Sequence, residues 1–111
     1  EAREHDEHRI EEIMGVCSPV GRWPDREIPE GKVLDLIRLL YHHEGRRISR
    51  DAFVGLWSIE ATPTYKNMGV VLHNCRQAVR GTGFNIEGSV NAGLYLDRLE
   101  GQVFPWETHD Q

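Results

Sequence analysis

The chain has 111 residues, enough for one modest apolar core and too few for two independent ones. A hydrophobic share of 39% and a charged share of 28% are ordinary for a globular domain. With no long apolar run and no biased tract, they exclude a membrane protein and a disordered tail. The formal net charge of −5 argues against nucleic acid as a partner unless the charge is distributed unevenly, so local charge is what matters.

The opening "EAREHDEHRIEEIMG" (1–15) predicts a highly charged helix in which Ile10, Ile13 and Met14 are the strong apolar positions and Gly15 the stop. So thin a stripe does not support an isolated helix. It must pack on the domain, pair with another chain or fray, and pairing makes it the expected element of a homodimer. Pro19, Pro24 and Pro29 then mark residues 16–29 as a connector with at most short extended pieces, and the main domain boundary is expected inside it.

"EGKVLDLIRLLYHHEG" places Val33, Leu36, Ile37 and Leu40 at helical spacing, widened by Leu34 and Tyr41, with Gly45 as a left-handed stop. "RRISRDAFVGLW" predicts a short extended piece ending at Ile48, then a short helix to about Trp57 with Ser49 as its cap and Asp51 in its first turn. "SIEA" is a loop. Thr62 as cap and Pro63 as first residue open a third helix reaching about Arg80. Met68, Val71, Leu72, Cys75 and Val79 form its buried stripe, while Lys66, Asn67, Val70, His73, Asn74 and Gln77 project from the other side.

Past "GTG", the runs "FNIE" and "GLYLDRL" alternate at period two around "GSVNA" and predict a β-hairpin, with Phe84 and Ile86 on one face and Leu94 and Leu96 on another. Residues 100–111 read as a tail in which Phe104 and Trp106 are positioned to dock. The expected organisation is a charged helix over 1–15, a linker over 16–29, a domain over 30–99 and that tail.

No Asp or Glu occurs from Ala61 through Ile86. With Lys66, Arg76 and Arg80 this window carries +3, which leaves −8 for the rest of a chain whose total is −5. The third helix and the stretch on to Ile86 are therefore the acid-free part of an acidic molecule.

Three runs in this region resemble one known family. "HHEGRRISRDAF" (42–53) resembles the "H-P-G-x-x-[VI]-S-R-[DE]-x-[LF]" run of the OmpR/PhoB-type effector domains of bacterial response regulators. "GVVLHNCRQAV" (69–79) is similar to their recognition helix "D-V-x-[IV]-x-x-L-R-x-K-L", with Cys75 at the Leu, Arg76 at the Arg and Val79 at the final Leu. "IEGSVNAGLYL" (86–96) matches their wing "I-x-T-V-R-G-x-G-Y-x-L" without a gap, keeping Ile86, Gly93 and Leu96. The similarity spans about residues 30 to 97. The wing's usual Arg and first Gly fall on Val90 and Asn91 and its Tyr on Leu94, "EIPEGKV" replaces the usual entry to the first helix, and residues 1–29 do not read as the family's receiver.

The resemblance implies an α+β, mostly helical winged helix-turn-helix: three helices and a C-terminal β-hairpin, here with an extra N-terminal helix. It implies sequence-specific binding of double-stranded DNA by a transcription regulator of bacterial or phage style, the third helix in the major groove and the hairpin beside the minor groove. The acid-free window agrees with this independently, because a helix entering the groove passes between phosphates. Base contacts are then expected from Lys66, Asn67, Val70, His73, Asn74 and Gln77, since Asn and Gln read adenine bidentately and Val meets a thymine methyl. Arg46, Arg47, Arg76 and Arg80 are expected on phosphates, as is Ser49 at its helix start, and Ser89, Val90 and Asn91 form the wing.

Each role has a plainer counterpart: a solvated polar helix face, a structural cap, or an internal ion pair for Arg76. The competing function is a winged-helix module that binds RNA polymerase or a partner regulator without strong DNA binding, favoured by the −5 charge and the missing wing Arg. His5 with His8 and His42 with His43 lack partners at metal-ligand spacing, and Cys17 and Cys75 are too few and too far apart for zinc or a disulfide framework. No nucleophile elbow, phosphate loop or metal motif occurs, so no enzyme, cofactor or metal is expected. The expected compartment is the cytoplasm, with reduced thiols.

Overall fold

The computed structural model of the chain describes residues 20–107, the side chain of Ile59 apart. In chain order these form β1 (Arg22–Trp23), β2 (Arg26–Glu27), α1 (Lys32–His42), α2 (Arg50–Val54), α3 (Tyr65–Ala78), β3 (Phe84–Ser89) and β4 (Gly93–Arg98). Single 3-10 turns occur at Ile59–Ala61 and Pro105–Glu107. The architecture is α+β, with three helices and two two-stranded antiparallel sheets among the described residues. The helix expected over residues 1–15, with its dimer role, lies outside the described residues, as do His5, His8 and Cys17.

The chain divides into two units, one of them Ile28–Gln102. Its helices meet along the faces that their periodicity marks. Leu34, Leu36, Ile37 and Leu40 of α1 are buried, and so are Phe53 of α2 and Met68, Leu72 and Cys75 of α3. Val33 and Val71 are only half-buried, so Leu34 belongs to the centre of the α1 stripe and Val33 to its edge. Fully burying each large apolar side chain contributes about 1.5 to 3 kcal/mol. α1 stops at His42, and Gly45, at φ 90°, turns the chain beyond its end toward Ile48.

The start of α3 differs from expectation. Thr64, not Thr62, is the cap: its hydroxyl accepts the Asn67 backbone N–H at 3.0 Å, and the helix begins at Tyr65. Thr62 is held extended (ψ 124°) before Pro63, as the residue preceding a proline usually is. Pro63 is buried ahead of the helix. Ser49 caps α2 in the same manner, accepting from Ala52 N at 3.1 Å, and α2 ends at Val54, short of Trp57.

β3 and β4 pair with Ile86 opposite Leu96 and Glu87 opposite Tyr95. Phe84, Ile86, Leu94 and Leu96 all turn inward rather than to two faces, because directly paired residues in an antiparallel ladder share a side. The outward positions carry Asn85 and Glu87 opposite Asp97 and Tyr95. Ile48 extends the sheet by one bridge, exchanging backbone hydrogen bonds with Leu94 at 2.6 and 2.9 Å. Gly93, at φ 100°, closes the three-residue turn Val90–Ala92, a place where a β-carbon would also lie 2.7 Å from Arg47 Cγ. Arg98 clamps the open end of the hairpin to the end of α1: its guanidinium donates to both Glu44 carboxylate oxygens at 2.6 and 2.7 Å, and to the Gln102 carbonyl at 3.1 Å.

The second unit comprises, among the described residues, 20–27 and 103–107. It joins segments expected to be a linker and a tail. β1 pairs with β2, and buried Trp23 stands edge-on to Phe104 and Trp106, which stack on each other with centroids 5.0 Å apart. The unit boundaries lie between Glu27 and Ile28 and between Gln102 and Val103.

Candidate nucleic-acid interface

α3 is the longest helix described, and its two sides differ in kind. Met68, Leu72 and Cys75 are buried, followed by Val79 just past its end. Lys66, Asn67, Val70, His73, Asn74 and Gln77 are all exposed, Val70 to 50%. Steps of one, three, three, one and three residues keep these six on one face, along about 16 Å of axis at 1.5 Å per residue. A helix of this kind, about 10 to 12 Å across, is what the major groove admits.

None of these six side chains makes a hydrogen bond or ion pair with a described residue. Three of the eight carboxylates of the unit are turned to other tasks: Glu30 and Asp35 lie beside Arg38, and Glu44 holds Arg98. The charge of the chain is also uneven at a larger scale. Residues 28–102 hold nine Lys and Arg against eight Asp and Glu, net +1, whereas the remaining residues hold four against ten, net −6. The acidity of the whole chain thus resides outside the unit that contains α3.

The arginines expected on phosphates fare differently. Arg76, the single arginine of α3, donates through Nε to the Ile86 carbonyl at 3.1 Å and through NH2 to the Gly88 carbonyl at 2.9 Å, which ties the helix to β3. Arg47 donates to the Gly93 carbonyl at 3.2 Å and lies 4.8 Å over the Tyr95 ring, a cation–π contact. Both are structural struts in addition to any phosphate role, and neither forms the acidic ion pair considered for Arg76. Arg46 and Arg80 are exposed, and the Arg46 guanidinium makes no contact of these kinds with a described residue. The Ser49 hydroxyl is occupied as the cap of five-residue α2, accepting from Ala52 N.

At the hairpin tip, Ser89 and Asn91 are exposed but Val90 is only 4% exposed. Val90 therefore belongs to the core rather than to a contact surface, as an apolar residue at this position would. The Ser89 hydroxyl accepts from Ala92 N at 3.2 Å, and the Asn91 side-chain oxygen accepts from Arg50 at 2.9 Å. Arg50 was not marked by the sequence for any role, and its partner lies 41 residues away. Tyr65, 56% exposed at the first position of α3, is a further candidate that periodicity did not single out, since an aromatic at a helix start fits either face.

Cys75 is a buried free thiol, and burial pushes its pKa up to about 12, against the opposing pull of Arg76. It is a small core residue in its reduced, protonated form. Among the described residues no cluster of three or more His, Cys, Asp and Glu is arranged to hold a metal ion, and no helix is long and apolar enough to cross a membrane.

No family model matches this chain, and no curated protein or solved structure matches it.

Proposed function

We propose that residues 28–102 form a winged helix-turn-helix that binds duplex DNA, with α3 in the major groove and the β3–β4 hairpin beside the minor groove, and that the chain acts as a cytoplasmic transcription regulator. The observation that carries this reading is the outer face of α3: six exposed side chains, none ionised negative, none engaged within the domain, on a helix of groove-filling length. The element order helix, bridging strand, capped helix, longer helix and hairpin supports the same reading.

In this arrangement Lys66, Asn67, Val70, His73, Asn74 and Gln77 address base edges, and Arg46 and Arg80 address phosphates. Phosphate contacts give affinity and salt dependence, and base contacts give preference. Titration of the chain with a pool of random duplexes at two salt concentrations tests this. Binding that weakens with a log–log slope of about −0.9 per phosphate contact is the expected result. Arg80→Ala should then lower affinity for every sequence alike and reduce the slope by about one. A change in base preference alone on Arg80→Ala would contradict its assignment.

A second reading, the same fold as a docking module for RNA polymerase or a partner regulator, is favoured by one observation. The outward side of the hairpin bears Glu87 and Asp97, and the arginines around it are held by the protein's own carbonyls and by Asn91. Absence of salt-dependent binding to any duplex would select that reading.

A further inference from the structure

The duplex-binding reading leaves open which bases α3 would favour, and its composition restricts the answer. We infer that the preferred major-groove site is A·T-rich across the base pairs under α3; the inference rests on that reading and deepens it.

The major-groove edges demand different chemistry. Guanine presents two acceptors, O6 and N7, and is most often taken by the paired donors of Arg or by Lys. Cytosine presents an N4 donor, suited to a carboxylate acceptor. Adenine presents an acceptor and a donor together, N7 and N6, which an amide matches at both ends, and thymine presents a methyl group.

α3 lacks the first two kinds of group along most of its length. Its one arginine, Arg76, is drawn sideways, with Nε and NH2 on the carbonyls of Ile86 and Gly88 at 3.1 and 2.9 Å. It has no Asp or Glu at all. What its outer face does hold is Asn67, Val70, Asn74 and Gln77, all exposed and unengaged. Their spacing of three, four and three residues corresponds to rises of about 4.5, 6 and 4.5 Å. Three amides and one branched apolar side chain therefore follow one another along the groove floor. Lys66, at the first turn of the helix, and exposed His73, whose ring N–H can donate to guanine N7 or O6, are the groups left on this face to favour guanine, so a G·C pair is accommodated at those two positions and A·T across the rest.

The hairpin is not the source of this preference. A minor-groove preference for A·T usually comes from an inserted arginine, and the arginine at the tip, Arg50, has its guanidinium engaged with the Asn91 side-chain oxygen at 2.9 Å.

The test compares affinity for three duplexes of equal length, made of A·T, G·C and inosine·cytosine pairs. Inosine·cytosine shows the G·C pattern in the major groove and the A·T pattern in the minor groove. The expected result is A·T binding at least about tenfold tighter than both others, with Asn74→Arg or Gln77→Arg narrowing the gap by raising affinity for G·C and inosine·cytosine together. Salt-dependent binding of equal strength to A·T and G·C, or a G·C preference, overturns the inference and leaves duplex binding standing. Inosine·cytosine behaving like A·T overturns it by moving the readout to the minor groove. No binding to any of the three overturns both this inference and the reading beneath it.

Discussion

The outer face of α3 and the β3–β4 hairpin belong to the same unit, yet they spend their polar groups in opposite ways. On α3, Lys66, Asn67, His73, Asn74 and Gln77 point outward with no partner among the described residues. On and around the hairpin, Arg47, Arg50 and Arg76 are each fastened to the protein itself, through the Gly93 carbonyl, the Asn91 side chain, and the carbonyls of Ile86 and Gly88. The difference teaches that polar residues near a candidate groove are not equivalent. Those on the helix have hydrogen-bonding capacity that the described residues do not use, and those on the hairpin tie the hairpin to the neighbouring elements.

The contrast breaks most visibly at Gly88. Its φ is 102°, and an added β-carbon would collide with the Gly93 carbonyl oxygen across the ladder. Gly88→Ala should destabilise the domain by about 3 kcal/mol through combined backbone strain and overpacking, measurable by urea unfolding. Next comes Arg76→Ala, which removes two hydrogen bonds between α3 and β3 and should cost about 2 kcal/mol of stability. It should lower affinity for all duplexes alike. Arg76→Lys should recover little of either, because one ammonium cannot reproduce the two-pronged geometry.

On the helix side the pattern should invert. Asn74→Ala and Gln77→Ala should leave stability within about 0.5 kcal/mol, while each relaxes preference at one base pair by about 1 kcal/mol or more. Selection from a random duplex library with each variant checks this; a loss of stability instead of preference would place these side chains with the hairpin's struts.

The inner side of α3 gives the smallest effect. In the unfolded chain the Cys75 thiol loses its proton near its ordinary value of 9.0, and in the fold it keeps it to about 12. Below pH 9 both states are protonated and the group adds no pH dependence. As pH rises from 9 toward 12, only the unfolded state gains by ionising, so stability falls. The wild type should lose about 1 kcal/mol more than Cys75→Ala between about pH 8 and about pH 10, seen as a larger drop in Tm.

How much of this was legible in the sequence depends on the range of the interaction. Met68, Leu72, Cys75 and Val79 could be placed by helical period alone, and the exposed face followed as its complement. The hairpin was legible from alternation, but the shared side of Ile86 and Leu96 required the register. The α3 start was misplaced because Thr62 before Pro63 reads as cap and first helical residue, whereas the hydroxyl that accepts the Asn67 N–H is that of Thr64, one residue beyond the proline. The commitment of Arg76 and Arg47 was not legible, since their acceptors are carbonyls of a strand that local sequence does not position. The same holds for Trp23 with Phe104 and Trp106, partners about 80 residues apart that turn a supposed linker and tail into one aromatic cluster.

The most direct measurement is affinity for a random duplex pool at low salt, comparing wild type, Asn74→Ala and Asn74→Asp. Asn74→Ala should bind the pool like the wild type, since it gives up a base contact and no charge. Asn74→Asp, nearly identical in shape to the wild type, should bind about tenfold more weakly because its carboxylate faces phosphates, and the gap should shrink as salt rises. Equal affinity of Asn74→Asp and Asn74→Ala would show that the outer face of α3 does not approach the polyanion.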